Sequence, residues 1–114
     1  MIRTTGSKIT LCCREKAAKT FFERLTGMLF RRFDDTVDGM LFDSCGSIHT
    51  FGMRYAIDVL FFTEDMKITA MRHNMAPWKI FFSGTLKKCS CLELPAGTLD
   101  RAQCKTGDFI EITQ

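Results

Sequence analysis

Cys45, His49, Arg54 and Asp58 place a thiol, an imidazole, a guanidinium and a carboxylate within fourteen positions of one another. They lead into the apolar run Ile57-Asp58-Val59-Leu60-Phe61-Phe62. Successive strand residues face opposite sides, so Asp58, Leu60 and Phe62 share one face and Ile57, Val59 and Phe61 the other. Both faces are apolar, which predicts a strand buried on two sides. An ionised carboxylate there is costly unless it is hydrogen-bonded or paired. His49 and Arg54 are the nearest charged donors in sequence, and the three side chains are expected to converge. The plainer alternative is that Asp58 accepts an ion pair or backbone N–H groups and pins the bend near Ala56.

The same residues suggest two reactive chemistries. A Cys–His pair makes a nucleophile when the imidazole captures the thiol proton, which gives a small hydrolase or transferase using His49 with Asp58 or Cys45. A metal or redox module would use Cys45, His49, Cys89 and Cys91, since tetrahedral zinc accepts three thiolates and an imidazole. The paired C-x-x-C spacing of such sites is absent, so neither a metal nor a cofactor is expected. Arg54 and Arg72 fall near strand ends, where a guanidinium can grip an anion. Trp78, after Pro77, could wall a pocket, although a lone Trp more often belongs to the core.

These groups need elements to position them. Alternation predicts a first strand over Lys8 to Cys13 and later ones over Gly39 to Asp43, His49 to Met53 and Ile57 to Thr63. More follow at Lys67 to Arg72, Trp78 to Phe82, Cys89 to Leu94 and Phe109 to Ile112. Thr20 and Glu23 have capping-box spacing, and a helix is expected from Phe21 to Leu29, its stripe of Phe21, Leu25 and Met28 packing on the sheet. Leu99 to Cys104 reads as a short second helix. About eight closely spaced strands with no βαβ alternation give a mainly β fold (α+β at the margin), a β-sandwich or partly closed barrel with an N-terminal helix.

The 114 residues form one domain, 1–114, with 46% hydrophobic and 25% charged residues, an ordinary globular composition. Eleven Phe against one Tyr and one Trp are expected to fill the core. A net charge of +3 with scattered Lys and Arg leaves no basic stripe, so no nucleic-acid partner is expected. Neither a signal peptide nor an apolar stretch of membrane-spanning length is seen. The expectation is a soluble cytoplasmic protein, monomeric or weakly dimeric. Without an export signal, the six Cys are expected to be reduced.

Four blocks in order carry a family resemblance. They are Thr20…Glu23-Arg24…Gly27-Met28-Leu29…Arg31; Asp38-Gly39-Met40-Leu41-Phe42; Ser47-Ile48-His49-Thr50-Phe51-Gly52-Met53-Arg54 with Ile57-Asp58-Val59; and Leu92-Glu93-Leu94-Pro95-Ala96-Gly97…Arg101…Gly107-Asp108. Over residues 16–112 the chain resembles the family called domain of unknown function 192. The resemblance implies a compact β-rich domain of bacteria and archaea with no accepted activity and many exported members. Ala56 stands where many members have Pro, and Gly52 where another branch has Trp. The leading expectation is therefore a non-catalytic binding or accessory domain. Its small cleft would be lined by the 45–58 segment and Trp78, for a small-molecule or protein partner, with candidate ligand contacts at Cys45, His49, Arg54, Asp58 and Trp78.

Overall fold

The computed structural model describes residues 1–6, 8–18 and 33–113. The helix expected from Phe21 to Leu29 and its capping box lie outside them. Along the described chain run β1 (Ile2–Thr4), β2 (Thr10–Cys12), β3 (Glu15–Ala17), β4 (Gly39–Phe42), β5 (Ser47–His49), β6 (Ile57–Thr63), β7 (Ile68–Met75), β8 (Ile80–Phe82), β9 (Cys89–Pro95), α1 (Thr98–Ala102) and β10 (Ile110–Ile112).

β6 is the apolar run Ile57 to Phe62 extended by Thr63, buried at every position. A strand covered on both faces needs a layer on each side, and the topology supplies them. β6 and β9 are the inner strands of a five-stranded sheet ordered β3-β4-β9-β6-β7. On one face Leu60, Phe62, Leu92 and Leu94 pack against Ile2, Leu11, Ile110 and Leu99, from the small sheet β10-β1-β2 and α1. On the other, Ile57, Val59, Phe61 and Cys91 pack against Ile48 and Phe81 of the β5-β8 ribbon and against Met53 and Met75. The Phe61 and Phe81 rings meet at 5.3 Å. The architecture is mainly β in stacked layers, with no closed barrel among the described residues.

Two short strands were absent from the sequence reading. β1 is held between β2 and β10, both antiparallel to it. β3 lacks apolar alternation but pairs in parallel with β4, Glu15 opposite Gly39. Gly39 is buried, and a Cβ there would meet Cys12 Sγ at 2.9 Å and Cys12 Cβ at 3.3 Å. Gly39→Ala should therefore overpack this junction and cost about 1–3 kcal/mol. Urea unfolding checks this, and a change under about 0.5 kcal/mol would mean that Cys12 simply turns aside.

The feature that matters most for the site lies between β6 and β7. Ile57 pairs with Met75 and Val59 with Arg72, so one residue of β6, Asp58, opposes two of β7, His73 and Asn74. This bulge puts Asn74 at φ 50°, a left-handed conformation that Asn tolerates better than most residues.

Candidate functional site

The structure distributes Asp58, His49 with Trp78, and Cys45 over three places, and Arg54 belongs to none of them. Asp58 is fully buried, and both carboxylate oxygens accept backbone N–H groups, Oδ1 from Asn74 at 2.7 Å and Oδ2 from Leu99 at 2.9 Å. The first is the amide of the bulge. The second belongs to the opening turn of α1, whose N-cap residue, Gly97, supplies no side-chain cap. Asp58 thus caps a helix from a neighbouring strand, satisfying a donor that the helix leaves open. Its donors are main-chain amides, and Arg54 and His49 are exposed elsewhere.

His49 and Trp78 are brought together on an outer face, through a residue that was not singled out. The β5-β8 ribbon pairs Ser47 with Phe82, Ile48 with Phe81 and His49 with Ile80. Ile48 and Phe81 turn inward, which sends His49, Ile80 and Phe82 outward. Phe51 stacks on His49 with centroids 5.0 Å apart, and on Trp78 at 6.3 Å. The exposed fractions are 45% for Phe51, 68% for Trp78, 51% for Ile80 and 61% for Phe82. The alternative that Trp78 belongs to the core is not the one adopted, and the expectation that the Phe residues fill the core is corrected at Phe51 and Phe82. Strand alternation carries Phe82 to the outer side, and a tight loop carries Phe51 and Trp78 there.

Thr50 fixes that loop. It is fully buried, its Oγ1 donates to Ala76 O at 2.7 Å and accepts from Lys79 N–H at 3.0 Å, and its own N–H donates to Lys79 O at 2.9 Å. Its carbonyl accepts from Trp78 N–H at 2.9 Å and from Met53 N–H at 3.1 Å. Trp78 sits at φ 66°, where a bulky side chain costs about 1–3 kcal/mol and persists only when its surroundings over-determine it. The Thr50 bonds on either side of its peptide do so. The outcome is an indole held in solvent at an energetic cost, a feature that tends to accompany functional sites. The imidazole Nδ1 of His49 accepts from Phe51 N–H at 3.3 Å, which orients the ring in the stack.

The third place is interior. Cys45 is half-buried, and its N–H donates to Cys89 O at 2.8 Å. The Cys89 thiol donates to Cys45 O at 3.4 Å. Glu93 follows on the same face of β9, 3% exposed, and its Oε2 has no hydrogen-bond partner among the described residues. Burial, reinforced by the nearby Cys45 thiol, pushes its carboxyl up to about 8. Burial likewise pushes the Cys91 thiol up, aided by the nearby Cys45 thiol and by Glu93. His49 faces away on the outer side, and among the described residues no three His, Cys, Asp or Glu side chains are grouped to hold a metal ion. The Leu92-Glu93-Leu94 run carries the same sequence signal as Asp58, a carboxylate inside an apolar strand.

Fold and site together define a small layered β domain with an aromatic outer face and a buried thiol–carboxyl cluster. The chain belongs to the DUF192 family, described as "Uncharacterized ACR", whose model matches residues 2–112. Among solved structures it is similar to a protein of unknown function from Novosphingobium aromaticivorans DSM 12444, at 21% identity and TM-score 0.76, covering 97% of this chain and 83% of that one. It is also similar to a Sinorhizobium meliloti 1021 protein termed a "putative transcription regulator", at 28% identity and TM-score 0.77, covering 96% and 90%. A comparison with curated proteins finds no match. No described helix is long and apolar enough to cross a membrane.

Proposed function

We propose that the protein is a non-catalytic binding domain whose ligand face is the outer surface of the β5-β8 ribbon, and that its ligand is an apolar, aromatic-bearing segment of a protein partner. The observation that carries this reading is the row Phe51, Trp78, Ile80 and Phe82, all exposed on one rigid face beside His49. Contiguous exposed apolar side chains mark interaction sites, and Trp is among the residues that dominate interface energetics. Small-molecule sites are concave and enclose most of their ligand, whereas these side chains stand outward, which favours a macromolecular partner. The face is apolar rather than basic, so it does not favour a nucleic-acid partner.

Trp78 is the single tryptophan of the chain, so its emission reports on this face directly. Peptides selected from a random displayed library on the immobilised protein should be rich in apolar and aromatic residues and should shift Trp78 emission to the blue. Phe82→Asp should weaken their binding about tenfold or more, with stability changed by no more than about 0.5 kcal/mol because the side chain is exposed. Selected peptides that bind Phe82→Asp and Trp78→Ala as well as the parent would overturn the proposal.

A further inference from the structure

We propose that the partner segment binds as an extended, acidic strand added to the free edge of β8. The inference rests on the reading of the aromatic face and adds to it the conformation and charge of the segment. β5 and β8 form a ribbon of two strands, with no third strand beside either among the described residues. At its two ends Thr50 N–H donates to Lys79 O and Ser83 N–H to Gly46 O, each at 2.9 Å. Antiparallel pairs alternate between bonded and non-bonded, so Ile48 and Phe81 are the bonded pair between those ends. His49–Ile80 and Ser47–Phe82 are then the non-bonded pairs, whose N–H and C=O groups point away from the ribbon. On the β5 side that edge is partly taken, because Ser47 O accepts the Cys45 thiol at 2.9 Å. On the β8 side the main-chain groups of Ile80 and Phe82 bond to no other described segment. Such an edge is a template for another strand. The longer β7 edge is obstructed, bulged at Asn74 and bonded at Ile68 to Gly107 and Asp108.

The residues that offer these groups, Ile80 and Phe82, are also the ones whose side chains stand in the exposed apolar row. One extended segment therefore uses both, bonding along the edge and laying alternate side chains beside the row. The charge around the row is one-sided. Segments 45–54 and 76–88, which build the ribbon and its loops, contain the exposed cations Arg54, Lys79, Lys87 and Lys88 and no Asp or Glu. Among the described residues, Lys88 alone of these has a carboxylate partner, Glu64 at 3.6 Å. A cationic rim favours an acidic partner and steers its approach. The same rim opposes pairing of β8 with β8 of a second copy, which would bring like charges together.

The probe is the tightest peptide from the displayed library, synthesised with a single backbone N-methyl group moved along it. Strand addition requires an alternation. N-methylation at every second residue should weaken binding about tenfold or more, and at the residues between by less than about threefold. The bound peptide should slow hydrogen exchange of the Ile80 and Phe82 amides about tenfold or more. Ile80→Pro removes a donor that faces outward, where an edge strand tolerates proline, and should weaken binding about tenfold beyond Ile80→Ala. The selected peptides should carry Asp or Glu beside their aromatics and bind more weakly as salt is raised. N-methylation without alternation would overturn strand addition while leaving the aromatic face as the ligand site. So would unprotected Ile80 and Phe82 amides in a complex that still shifts Trp78 emission and is lost in Phe82→Asp. Neutral or basic selected peptides would overturn the acidic assignment. Peptides indifferent to Phe82→Asp would remove the face itself and this inference with it. Protection of the two amides that grows with protein concentration in the absence of peptide would give the edge to a second copy instead.

Discussion

Glu93→Gln should make the protein more stable at pH 8.5 and slightly less stable at pH 5, reversing the order of variant and parent across neutrality. Burial pushes the Glu93 carboxyl from an ordinary 4.5 up to about 8 in the folded protein. Between those values the folded state holds a proton that the unfolded state has released. Stability must then fall as pH rises through the interval, and it levels off above the folded value. At about 1.36 kcal/mol per unit, the full loss is on the order of 5 kcal/mol, a large part of the roughly 5–15 kcal/mol that a domain of this kind possesses. Gln removes the titration but buries an amide whose hydrogen bonds are incompletely met, at about 1–2 kcal/mol. That cost dominates at pH 5, where Glu93 is protonated in the fold, and the removed ionisation dominates at pH 8.5. Measurement should stop near pH 8.5, because Cys12 and Cys104, pushed up by burial to about 12 and about 11, add their own alkaline losses above the ordinary thiol value of 9.0. Urea unfolding at pH 5, 7 and 8.5 decides the matter. Parallel pH profiles for parent and variant would show that Glu93 reaches water in the folded state.

The central sheet was legible because its signal is local. Ile57 to Thr63 states its own burial on both faces, and β6 has those bounds. The second strand of the core, Cys89 to Leu94, was read to within one residue of β9. β3 was not legible: Glu15-Lys16-Ala17 has no pattern of its own and exists through pairing with β4. β7 continues past the end at Arg72 expected from the sequence because Asn74 absorbs the bulge in a left-handed conformation. The site was half legible. Burial of Asp58 could be read from its neighbours, but its donors could not, since any residue carries a backbone N–H and only the tertiary fold chooses Asn74 and Leu99. The aromatic face was obscured for the opposite reason. Phe81-Phe82 and Phe51 look like core by type, and only the layer that covers one side of the ribbon determines which of them stays outside.

Asp58→Ala is expected to destabilise the domain by about 3–5 kcal/mol. The carboxylate joins three elements: β6 carries it, the β7 bulge gives it the Asn74 amide, and α1 gives it the Leu99 amide. Removing it strands both N–H groups. The Leu99 donor is buried, and each buried group left unpaired costs about 1–3 kcal/mol. α1 has five residues, too few to form without tertiary support, so loss of the cap should loosen Leu99 and Ala102, which belong to the core. Asp58→Asn separates geometry from charge. It keeps the shape and one acceptor oxygen but turns an NH₂ toward one of the two amides, so an intermediate loss of about 2 kcal/mol is expected. Hydrogen exchange provides the local check, because the Leu99 and Asn74 amides should lose protection in Asp58→Ala beyond the global change. If Asp58 served chiefly to contact a ligand, both variants would unfold like the parent and these amides would stay protected. A series that costs about 2 and then about 3–5 kcal/mol, with the loss centred on Asn74 and Leu99, fixes Asp58 as the joint between bulge and helix.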